Sequence, residues 1–104
     1  MINDMKKIFA ILCISYLLGN DSDFLSKATL AIKNKKYKEA LMHINKAEDS
    51  NQKNPDFFRL QALLYEMLGD PDLAKKAWKR CYKFSGNANM KREAKIHIQN
   101  LTNN

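Results

Sequence analysis

Apolar residues along this chain recur three and four places apart and not every second place, which is the spacing of one helix face and not of a strand. That pattern predicts five amphipathic helices, over residues 22–34, 37–49, 55–68, 71–84 and 88–101. Between them stand short polar breaks. Asn54 before Pro55 and Asp70 before Pro71 read as N-caps followed by a proline in the first turn, where its missing N–H costs nothing. Gly69 supplies the left-handed residue that ends a helix. Gly69-Asp70-Pro71 therefore stops one helix and starts an antiparallel neighbour at once. The break Asn34-Lys35-Lys36 carries no glycine but is short and polar. The fold class expected is all-α, with only three glycines and two prolines to serve the turns of any β architecture.

The pattern repeats. A shift of 34 residues lays Phe24 on Phe58, Ala28 on Ala62, Leu30 on Leu64 and Ala40 on Ala74, with Ala47 on Cys81 as small on small. These matches fall where two packed helices need an aromatic plug or a small contact residue. Ala62 and Ala74 are expected to let two helix backbones approach, with Tyr65 and Trp78 filling the space around them.

Phe58, Ala62, Tyr65, Ala74 and Trp78, with Gly69 at the turn, make this second unit resemble the tetratricopeptide repeat, a 34-residue helix-turn-helix unit. Gln61 departs from the leucine of that pattern. The first unit matches through Phe24, Ala28, Tyr37, Ala40 and Ala47, with Ala31 and Ile44 in aromatic places. The resemblance spans about residues 21–86. It implies antiparallel helix pairs stacked as a short solenoid, with repeats at about 21–54 and 55–88. Residues 88–101 carry Met90, Ala94, Ile98 and Leu101 as one apolar stripe and read as the capping helix of such an array. Arg92 at the aromatic position keeps this segment from continuing the repeat.

The resemblance also implies a function. First helices of successive units in that family line a concave groove that holds a peptide or a partner helix. Here the lining would be Leu25, Thr29, Ile32 and Lys33, then Arg59, Leu63, Glu66 and Met67, then Met90, His97 and Leu101. The lysine and asparagine of the first groove helix and the lysine and arginine of the third, with which some family members clamp chaperone C-termini, are missing, since Leu25 and Thr29 hold the first pair of positions and Met90 and Ala94 the last. Two units and a cap fall short of the roughly three repeats at which stacking becomes self-sufficient, so a homodimer or an array-completing partner is expected.

Composition narrows this only a little. With 45% apolar and 28% charged residues, the chain belongs with globular domains and not with disordered ones. The net charge of +7 rests on fifteen lysines against three arginines, beside eleven asparagines, a bias that reads as compositional habit. Lys75, Lys79 and Lys83 share one helix side, with Tyr82 near them, but that helix must turn a solvated side outward in any case. Nucleic acid is therefore not the expected partner.

Residues 1–19 stand apart. Lys6 and Lys7 precede an apolar run over 8–18, closed by Gly19, in the manner of a secretory signal. Eleven residues are too few to cross a bilayer that needs about 20. A cleaved signal, a lipoprotein signal at Cys13, a membrane anchor over residues 5–18 and a first helix packed on the domain are the four readings. The first makes residues 20–104 an exported or periplasmic domain with Cys81 as its one thiol; the third makes it membrane-anchored. The fourth leaves it cytoplasmic, as a small chaperone for a secreted or assembling protein.

Nothing in the residues argues for catalysis, a cofactor or a metal. His43 and His97 are far apart in sequence, no metal-ligand spacing occurs and no glycine-rich phosphate loop is present. The expectation is a non-catalytic protein-binding adaptor.

Overall fold

The computed structural model describes residues 23–103. The expectations placed on residues 1–19, Cys13 included, lie outside the described residues. Five helices follow one another: α1 over Asp23–Lys33, α2 over Tyr37–Lys46, α3 over Pro55–Met67, α4 over Pro71–Phe84 and α5 over Ala88–Asn103. A 3-10 turn, Glu48–Asn51, joins α2 to α3. No strand occurs among the described residues, and the class is all-α. Each helix packs on the next, most extensively α3 on α4 and least so α2 on α3.

The helix ends sit where side chains can satisfy them. The Asn54 side-chain oxygen accepts from the N–H groups of Asp56 and Phe57, at 3.1 and 3.3 Å. Asp70 accepts from the Leu73 N–H at 3.2 Å, and Asn87 caps α5 through Asn89 and Met90. At the far end of α3, Gly69 takes φ +76°. That lets the Asp70 N–H reach back to the carbonyl of Tyr65 at 2.9 Å. The same closure ends α1, where Lys36 donates to the carbonyl of Ala31 at 2.8 Å. There a lysine, Lys35, holds the left-handed position at φ 58°.

The last helix runs two residues past its expected end at 101, and the largest boundary difference is at the end of α2. The second helix stops at Lys46, not at residue 49, and tightens into the 3-10 turn. The Asn51 side chain donates to the carbonyl of Ala47 at 2.7 Å, so a side chain closes this end where no glycine or proline marks it.

The core forms where small residues meet. Ala28, Ala40, Ala62, Ala74, Cys81 and Ala94 are wholly buried, and Trp78, Phe58, Ile44 and Leu64 are the largest side chains sealed among them. Phe57 meets Phe24 edge to face at 5.9 Å, and Phe58 stacks on Phe84 at 6.0 Å. Tyr65, expected to fill space beside Trp78, is only half buried. α3 has neighbours on several sides: it touches α1 through Phe57, α2 through Gln61, α4 through Glu66 and α5 through Arg59.

Candidate functional site

The residues expected to line a groove divide into three groups in the structure. Leu25, Thr29, Lys33 and Met67 are exposed. Ile32, Leu63, Met90 and Leu101 are partly buried and packed against the core. Arg59, Glu66 and His97 are engaged with other side chains of this chain.

That last group holds α3 to α5. The Arg59 Nε donates to Glu93 Oε1 at 2.8 Å, one ion pair between the two helices. Two turns further along α3, Glu66 Oε2 lies 2.8 Å from His97 Nδ1 and 2.7 Å from the donating indole Nε1 of Trp78. The rings of Trp78 and His97 stack, with centroids 4.2 Å apart. Each group satisfies the others: the carboxylate accepts a proton donor that would otherwise be buried unpaired, and fixes which imidazole nitrogen carries hydrogen. A carboxylate beside an imidazole can position a base, but the third member here is an indole N–H and not a nucleophile. The arrangement is built to join three helices.

Arg92, Glu93 and Ile96 of α5 line a shallow depression with Asn89 and His97. Ile96 is exposed and was not among the expected lining. Its signal in the sequence was an apolar residue standing off the Met90–Ala94–Ile98–Leu101 stripe. A separate depression of about 580 Å³ lies between α1 and the end of α2, lined by Phe24, Lys27, His43, Lys46, Ala47 and Asn51 among others. It does not coincide with the expected groove.

Polar side chains also seam the two units together. Gln61 is buried in α3, and its Nε2 donates to Asn45 Oδ1 at 2.9 Å and to Glu48 Oε1 at 3.2 Å. Glu48 in turn accepts from Arg80 of α4 at 3.2 Å. Gln61 can be buried because its partners across the seam are polar.

Cys81 is wholly enclosed. Burial pushes its thiol up from 9.0 to about 11, and the Glu93 carboxylate adds to the rise. A thiol so protonated is inert at neutral pH. Among the described residues no group of three or more His, Cys, Asp or Glu could hold a metal ion, and no helix is long and apolar enough to cross a membrane. Compared with family models, with curated proteins and with solved structures, the chain has no match in any of the three.

Proposed function

We propose that this chain is a non-catalytic adaptor of the tetratricopeptide type that binds a peptide or helix across its first helices, in an exported or membrane-tethered assembly. The observation that carries the reading is a shared one. α1, α3 and α5 each leave large apolar surface in water, Leu25 at 47% and Leu30 at 61%, Met67 at 58% and Ile96 at 49% exposure, and Met42 of α2 and Leu73 and Tyr82 of α4 are exposed as well. Single exposed apolar residues are ordinary. Leu25, Leu30, Met67 and Ile96 are the ones that stand on the helices that would line a concave face in such a repeat. The 34-residue register supports the same reading, since Ala28 and Ala62, and Ala40 and Ala74, are paired and wholly buried. Arg59 and Glu93 would add a charged pair beside the apolar contacts. Export or tethering rests on residues 1–19.

The test is capture from fractionated source cells with the full chain and with the triple variant L25S/M67S/I96S. A partner retained by the first and lost by the second, with unchanged helical circular dichroism, supports the adaptor. Equal retention by both removes this face from the proposal. The intact mass of the recovered chain decides the compartment: loss of residues 1–19 means export, and an unprocessed chain in the membrane pellet means tethering.

A further inference from the structure

The charge of this protein is not spread along it. Residues 71–103, which form α4 and α5, hold eight Lys and Arg against two Asp and Glu, a net +6 out of the chain's +7. The acidic residues of this half are also placed away from most of the lysines. Glu93 is paired with Arg59 of α3, and Asp72 stands in the first turn of α4. On α4 the buried side is Ala74, Ala77, Trp78 and Cys81, which leaves Lys75, Lys79 and Lys83 in a line away from it, about 6 Å apart along the axis, with the Lys83 ammonium 5.3 Å over the Phe84 ring. α5 extends this line. The Lys91 ammonium lies 5.0 Å over the ring of Tyr82, itself exposed on α4, and Lys95 follows one turn later. Among the described residues no carboxylate is in ion-pair range of these five lysines.

We propose that this outer side of α4 and α5 is a docking face for an anionic lipid surface. Like charges gathered without acidic partners repel one another, and an anionic surface relieves that repulsion. The face consists of lysine, a flexible point charge suited to a diffuse layer of headgroups, while Arg80, the arginine within α4, is tied to Glu48. One side of the Tyr82 ring is covered by Lys91 and so closed to a stacking base, whereas an exposed tyrosine suits a headgroup layer. The choice of lipid over nucleic acid also rests on the tethered form of the proposed function. An apolar run over residues 8–18 is too short to span, and a weak apolar anchor holds stably when a basic patch adds to it.

The experiment is co-sedimentation of the full chain at physiological salt with neutral phosphatidylcholine vesicles, and with the same vesicles carrying about 30% phosphatidylserine, enough to set up the surface potential that attracts lysine. Each lysine near such a surface is worth a factor of about five, so K75Q/K79Q/K83Q should lower the partition onto anionic vesicles about 100-fold. K33Q/K38Q/K46Q, which removes equal charge from α1 and α2, should lower it less than about tenfold. An equal loss in both variants overturns the proposal, as does no gain on adding phosphatidylserine. Tighter binding of a DNA duplex than of anionic vesicles at the same salt overturns it in favour of nucleic acid. Binding to neutral vesicles reports on residues 5–18 alone, so failure there removes the tether and leaves the face to stand or fall on the anionic gain.

Discussion

The imidazole of His97 lies flat against the indole of Trp78, 4.2 Å between centroids, and both rings address the same Glu66 oxygen. Trp78 is wholly buried at the centre of the α4 packing, so its N–H has nowhere else to go. Glu66 thus joins α3, α4 and α5 at one atom. Glu66→Leu should leave the indole N–H and the imidazole without their acceptor, at about 1–3 kcal/mol, while Glu66→Gln keeps an acceptor and costs less. Urea midpoints followed by tryptophan emission would measure both. Equal midpoints for the wild type and the leucine variant would mean that water replaces the carboxylate freely.

Lys35 and Gly69 close equivalent turns with opposite fitness for the task. Both residues sit at positive φ, 58° and 76°. A Cβ at Gly69 would meet nothing within 4 Å, so Gly69→Ala isolates the backbone cost, about 1–2 kcal/mol. Lys35→Gly should do the reverse and stabilise the chain by up to about 1 kcal/mol, after the greater freedom of glycine in the unfolded state is allowed for. Thermal unfolding of the two single variants checks the signs. If both destabilise, the left-handed residue at the first turn is held by side-chain contacts of Lys35 and not merely tolerated.

These turns show how far the sequence could be read. Asn54-Pro55, Gly69 and Asp70-Pro71 announce their geometry because few residues can do those jobs. Lys35 does not, since nothing about a lysine marks a left-handed bend; only the strength of the helices on either side imposes it. The end of α2 was hidden for the same reason, as Asn51 closes it from four residues away. At the candidate site, Leu25 and Met67 of the expected lining are exposed. Ile32 and Leu63 within the 34-residue register pack against the core instead, and so do Met90 and Leu101 beyond it. Their apolar stripe is what buries α5 against α4, and one stripe cannot both bury a helix and line an open face. Ile96, off that stripe, is the residue left exposed.

Ala62 and Ala74 test the packing that the repeat pattern implies. Both are wholly buried, on α3 and α4, the pair of helices in most extensive contact. Ala62→Leu or Ala74→Leu should force the helices apart at about 1–3 kcal/mol each. The two together should cost less than the sum, because one separation relieves both. Urea denaturation of the singles and the double measures this. Fully additive losses would place the two alanines in separate contacts.

Cys81 gives stability a dependence on alkaline pH. The native thiol holds its proton to about 11, and the unfolded one releases it near 9.0, because burial between α4 and its neighbours disfavours the thiolate. Below pH 9.0 both states are protonated and the contribution is fully present. Between 9.0 and 11 unfolding releases a proton, so rising pH draws the chain toward the unfolded state. Above that range both states are thiolate and no further loss follows. Relative to Cys81→Ala, which carries the same tyrosines and lysines, the wild type should lose at most about 2–3 kcal/mol across this window. Urea midpoints at pH 8, 9, 10 and 11 for both proteins give the difference. Parallel curves would mean that the thiol is open to water, and rapid labelling of the native protein by a thiol reagent at pH 8 would then accompany them.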